Sequence, residues 1–201
     1  MQRTCKEDPT AKLPATIKFP ESDKTPSVCV VGLGYIGLPT ASVLADRGYQ
    51  VHGVDVSENI VDCINRGEIH IHEPHLSELV QRVVDCGDLT ASLQPQQADV
   101  FFICVPTPIQ SNKTPDLTYV RQAARSIRSL VRPGNLVILE STSPPGTTEN
   151  VVLREAIPDH LTVGVHVLVA YCPERVLPGR ILNEVIENDR IVGGITPACA
   201  R

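Results

Sequence analysis

From Ser27 onward the chain alternates between short apolar runs and longer amphipathic ones. SVCVVG predicts a buried strand. Gly37 to Arg47 predicts a helix with Pro39 in its first turn, where a missing N–H costs little. Gly48 ends that helix, and QVHGVD predicts a second strand. Ser57 opens a helix over NIVDCINRG that Gly67 closes. PHLSELVQRVV places Leu76, Leu79, Val80, Val83 and Val84 on one helical face. LTASL predicts a short strand, and DVFFICVPT a strand with almost no polar interruption, as in the middle of a parallel sheet. Leu117 to Val131 predicts a helix before the Pro133-Gly134 break, and a further helix is expected after Pro144-Pro145. LVILEST, HVLVAYC and RIVGG complete the strands, and ITPACAR resembles the first turn of another helix. Strand alternating with helix predicts an α/β fold, a doubly wound parallel sheet of the Rossmann type.

Residues 1–26 interrupt no such pattern, because they have none: Pro, Thr, Lys and acids dominate, and a mobile N-terminal tail is expected before a single domain over 27–201. Neither a signal-peptide apolar core nor a run of the roughly 18 apolar residues that a membrane span needs is present. The formal net charge of −5 argues against a nucleic-acid surface. Seven cysteines, with no C-x-x-C pair, fit a reducing cytoplasm and no zinc cage. Cys29, Cys63 and Cys104 lie in apolar segments and are expected as buried thiols. The histidines of HIHEPH form no spaced ligand set, so no metal is expected.

The chemistry begins at VVGLGYIGLPTA. Gly32, Gly34 and Gly37 stand at G-x-G-x-x-G between a strand and a helix. The first permits a tight turn, the second lets the backbone approach a pyrophosphate, and the third lets helix and strand pack closely. The helix N-terminus then offers free N–H groups to phosphates. Asp55, at the end of the second strand, lies near the roughly 20-residue offset at which a carboxylate receives ribose hydroxyls. An acid there repels a 2′-phosphate, so NAD is expected rather than NADP. A glycine turn used only for packing is the alternative.

In order, the chain carries GLGYIGLPTA, VDV, INRGEIHIHEP, CVPTP, ESTSPPGTT and CPERVLPG. Together these resemble the UDP-glucose/GDP-mannose dehydrogenase family from about Val28 to Gly194, the likeness being strongest to the branch that acts on UDP-N-acetyl-D-mannosamine. The resemblance implies an NAD-dependent oxidoreductase that oxidises a sugar alcohol twice, to aldehyde and then acid, with a cysteine thiolate trapping the aldehyde. It places Tyr35 and Ile36 in the backbone that meets NAD, and Thr107 in contact with the cofactor. Thr142 matches a threonine close to the nicotinamide and a catalytic water, and Glu174 a glutamate in the proton transfers. Arg175 and Val176 match a substrate-contacting pair. Plainer roles stay open: a turn residue at Thr107, a helix N-cap at Thr142, an exposed loop acid at Glu174. Cys172 reads as a buried structural cysteine and not as a nucleophile.

The segment that carries the family's catalytic cysteine, its central helix and its second nucleotide-binding domain are not matched within these 201 residues. The chain by itself is therefore expected to be inactive, and monomeric where the family is a homodimer. A hydroxyacid or 6-phosphogluconate type of dehydrogenase shares the glycine motif but does not account for ESTSPPGTT and CPERVLPG together. A non-enzymatic NAD-binding module remains an alternative.

Overall fold

The computed structural model describes residues 25–201, so the expected tail over 1–26 falls, through residue 24, outside the described residues. The elements are β1 (Ser27–Val31), α1 (Gly37–Asp46), β2 (Gln50–Val54), α2 (Glu58–Asn65), α3 (Leu76–Asp85), β3 (Leu89–Ser92), β4 (Val100–Ile103), α4 (Thr118–Ile127) and β5 (Leu136–Leu139). A π-helical turn, Thr148–Val152, then runs into α5 (Leu153–Ala156), followed by β6 (Leu168–Tyr171), α6 (Ile181–Glu187) and β7 (Gly193–Gly194). They form one seven-stranded sheet in the order β3-β2-β1-β4-β5-β6-β7. Every pairing from β3 through β6 is parallel. The order reverses between β1 and β4, and in such sheets ligands bind in the crevice outside the carboxyl ends at that point.

Strand alternation builds the two cores. In β1, Val28 and Val30 face one side and pack with Leu38, Ala41 and Ala45 of α1 and Leu76, Val80 and Val83 of α3. Cys29 and Val31 face the other side, with Val120, Ala124 and Ile127 of α4 and Val152 and Ala156 of the last helices. Burial on both faces is why the central strands carry no polar interruption.

Three expectations need correction. The helix expected over Leu117–Val131 ends at Ile127, because its last turn tightens to three-residue bonds ahead of the Pro133-Gly134 break (Arg128 N–H to Arg125 O at 3.2 Å, Leu130 N–H to Ile127 O at 2.8 Å). RIVGG supplies a strand of only two residues, antiparallel to β6. The chain re-enters the sheet at the carboxyl edge, where Arg190 is held by two carboxylates, and so must run back down. Cys63 is half-buried rather than buried, whereas Cys29 and Cys104 are buried as expected. Helix α6, which the strand–helix alternation does not reveal, is signalled only by the amphipathic run ILNEVIE after Pro178-Gly179.

The six described cysteines are all free thiols. Burial pushes Cys29 up to about 11 from its ordinary 9.0. At pH 8 its thiolate fraction is therefore about one in a thousand. Alkylation at pH 8 is expected to modify the exposed Cys86 and to spare Cys29 and Cys104 until denaturant is added, as peptide mass spectrometry would show. Modification of Cys29 at the rate of Cys86 would contradict the buried core.

Candidate functional site

The glycine loop follows from local sterics. Gly32 has φ +96°, and a Cβ there would lie 2.6 Å from Cys104 O. At Gly37 a Cβ would lie 1.8 Å from Gly32 O and 3.1 Å from Cys104 Cβ, so only glycine lets α1 start against β1 and β4. Gly34 differs from both: a Cβ there meets nothing within 4 Å, so the backbone faces open space. Tyr35 beside it is 53% exposed, and Ile36 occupies the N-cap position of α1. The loop is tied to β2 by Gly32 N–H donating to Val54 O at 2.7 Å.

Asp55 sits at the carboxyl end of β2. Its Oδ2 accepts the Leu33 N–H and its Oδ1 the Ser57 N–H, each at 3.0 Å. Each oxygen keeps a free lone pair, and the carboxylate is fixed beside the glycine loop. An open approach at Gly34, with a pinned acceptor a few residues' reach away, fits a dinucleotide whose pyrophosphate and ribose need those two groups.

The ends of β4 and β5 bring two further expected residues together: Thr107 Oγ1 donates to Thr142 O at 2.6 Å. The Thr142 side chain is exposed. It does not cap the following helix, whose first residue, Thr148, lies beyond Thr147 as N-cap. Beyond β6, Cys172 is buried, in keeping with a structural cysteine. The Glu174 side chain is only 4% exposed, which corrects the alternative of an exposed loop acid. Arg175 and Val176 follow in the same loop, where Arg175 Nη2 donates to Asp189 O at 2.9 Å and so turns toward the segment before β7.

Several polar residues escaped the sequence reading. Glu140, at the end of β5, is 1% exposed. Its Oε2 accepts Cys104 Sγ–H at 3.0 Å and Thr40 Oγ1–H at 3.2 Å, and its Oε1 accepts Arg190 Nη1 at 2.9 Å. Arg190 Nη2 lies 2.5 Å from Glu174 Oε2. Burial holds the Glu140 carboxyl above its ordinary 4.5, against the opposing pull of Cys104 and Arg190. Burial first, then the Glu140 charge, keeps the Cys104 thiol well above its ordinary value. Glu73, in HIHEP, is 5% exposed, and its two oxygens accept Gly179 N–H at 2.8 Å and Ile181 N–H at 2.7 Å. It thereby fixes the loop that carries Glu174, Arg175 and Val176 and caps the start of α6. The one sequence signal is at Glu140, a charged residue set directly after the apolar strand β5.

Fold and site together define a dinucleotide-binding domain of the doubly wound class. The chain belongs to the UDP-glucose/GDP-mannose dehydrogenase family: residues 26–201 match the model of that family's NAD binding domain. NAD is accordingly the cofactor. The chain is 53% identical over 182 residues to the UDP-N-acetyl-D-mannosamine dehydrogenase of Escherichia coli, covering 87% of this chain and 43% of the relative. It is 51% identical over 181 residues to the NDP-N-acetyl-D-galactosaminuronic acid dehydrogenase of Ralstonia nicotianae, with 87% and 43% covered. The native structure of the UDP-N-acetyl-mannosamine dehydrogenase of Staphylococcus aureus superimposes with a TM-score of 0.83 at 42% identity, over 86% of this chain and 42% of that one. The chain thus spans less than half the length of the relatives it matches.

Proposed function

We propose that this chain is the cofactor-binding part, over residues 27–201, of an NAD-dependent nucleotide-sugar 6-dehydrogenase, with UDP-N-acetyl-D-mannosamine as the favoured sugar. The observation that carries the reading is identity of 53% to a dehydrogenase of that name, together with Thr142 and Glu174 in the loops that follow the carboxyl ends of β5 and β6. The 51% identity to the Ralstonia nicotianae relative supports a second reading, in which the sugar is an N-acetylgalactosamine derivative.

NAD, when bound, supplies the hydride acceptor. Gly32, Gly34, Tyr35, Ile36 and Gly37 would hold its pyrophosphate through backbone N–H groups, and Asp55 its ribose hydroxyls. Thr107 braces the backbone of Thr142, an exposed residue whose hydroxyl can both donate and accept and so can hold a water near the reacting carbon. Glu174 moves the proton of the sugar hydroxyl or of that water. Arg175 and Val176 contact the sugar nucleotide. No described helix is long and apolar enough to cross a membrane. A cytoplasmic setting is part of the proposal and rests on the free thiols. A homodimer for the family and a monomer for this chain belong to it as well.

Calorimetric titration of the chain with NAD, NADP and an Asp55→Ala variant tests the reading. NAD is expected to bind, NADP to bind far more weakly, and Asp55→Ala to lose about 10- to 100-fold in NAD affinity, as for hydrogen bonds to a charged group. Equal affinity for NAD and NADP in the unaltered chain would remove the role given to Asp55.

A further inference from the structure

We propose that Arg190 is a positioning residue for Glu174, with Glu140 as its buried anchor. The inference deepens the reading above and rests on Glu174 acting there in proton transfer.

Arg190 stands in NDRIVGG, just before β7, where its guanidinium spans two carboxylates. One N–H reaches Glu140 Oε1 at 2.9 Å, and the other nitrogen lies 2.5 Å from Glu174 Oε2. The third neighbour is Cys172 Sγ, at 4.0 Å from Nη1. Glu140 cannot turn away, since its side chain is 0% exposed and its second oxygen is taken by Cys104 and Thr40. The plane of the arginine is thereby set from the core side. A planar fork with donors at fixed spacing can serve two acids at once, which a lysine cannot.

The Glu174 end is arranged differently. Its Oε1 accepts the Arg175 N–H at 2.8 Å. Its Oε2 is buried and receives no aligned hydrogen bond among the described residues; the Arg190 contact there is one of charge. The carboxylate is therefore held in place while one oxygen keeps its lone pairs for another donor, as an acid–base group requires. A pair serving the fold alone would be complete with Glu140. The second acid comes instead from the loop that carries the proposed chemistry. Through Thr40 in α1 and Cys104, which packs behind Gly32 and Gly37, the same anchor is tied to the cofactor loop.

The test uses this chain with two variants, Arg190→Lys and the double replacement Glu140→Gln/Arg190→Met. The double variant leaves no uncompensated charge at Glu140, and the glutamine oxygen still accepts from Cys104 and Thr40. Side-chain order at Glu174 is read from NMR three-bond couplings, which give its χ1 populations, and NAD affinity from calorimetry. One dominant rotamer is expected in the unaltered chain, averaging over the staggered wells in the double variant, and partial recovery of order in Arg190→Lys. NAD affinity is expected to stay within about threefold in Arg190→Lys, since Arg190 does not touch the cofactor loop. A single Glu174 rotamer in the double variant, or couplings in Arg190→Lys equal to those of the unaltered chain, would overturn the proposal. If the double variant does not fold, the lysine variant decides alone. Failure of the unaltered chain to bind NAD would sink the functional reading, while the Glu174 couplings would still decide whether Arg190 positions it.

Discussion

Gly34→Ala is expected to abolish NAD binding and leave the fold intact, whereas Gly37→Ala is expected to damage both. The difference comes from what each new Cβ would meet. At Gly37 it would lie 1.8 Å from the carbonyl oxygen of Gly32, a backbone atom that cannot swing aside. The start of α1 would have to move off β1, at a cost of about 3 kcal/mol or more by the usual scale of overpacking. At Gly34 nothing of the protein lies within 4 Å, and the backbone there needs no positive φ, so an alanine is accommodated. The added methyl would stand instead where a pyrophosphate must approach the chain, and affinity should fall by about 100-fold or more, corresponding to about 3 kcal/mol. Thermal unfolding followed by circular dichroism, set beside calorimetric NAD titration, separates the two effects. Unchanged NAD affinity in Gly34→Ala would mean that the cofactor does not pass over this loop.

The second large effect is expected from Arg190→Met. It leaves Glu140 buried without its cation, and breaking a buried pair from one side typically costs about 3–5 kcal/mol. For a chain of this size that corresponds to a fall in Tm of about 10 °C. The loss should depend on pH, and its sign follows from the burial of the carboxyl. The folded form holds Glu140 above its ordinary 4.5, so its contribution to stability is fully present below that value and is lost as pH rises through the folded one. Removing the arginine strengthens this tendency. The gap between Arg190→Met and the unaltered chain should therefore be smallest at acid pH, where Glu140 is protonated, and widen toward neutrality. Melting curves across that range check it. A gap independent of pH would show that the arginine contributes through packing and not through charge.

The cofactor half of the site was legible because its physics is local. The positive φ of Gly32 and the contact of Gly37 with Gly32 O are demands set within a strand–turn–helix unit, and Asp55 directly follows the next strand. The two cores were legible for the same reason, since period-two alternation in β1 and the apolar face of α3 name their own partners. The buried polar cluster was not. In ESTSPPG nothing nearby reveals that Glu140 turns inward, because its cation stands fifty residues on (|i−j| = 50). Glu73 is the same case, since its two donors lie 106 and 108 residues away and are backbone groups without a side-chain signature. The direction of β7 was equally hidden: a pair of glycines carries no hint of which way the chain is running when it reaches the sheet.

The bond from Glu73 to Gly179 and Ile181 also bears on the order of assembly. Closing a contact across more than a hundred residues carries more loop entropy than closing a local pair. The unit around β1, α1 and β2 can condense early from neighbours in sequence. The loop from Glu174 to Ile181 must wait until both sides of the sheet stand, because only then does a carboxylate exist in the right place to receive its amides. The loop from Glu174 to Ile181 thus depends for its anchor on long-range closure, which the β1–α1–β2 unit does not need for its own pairing.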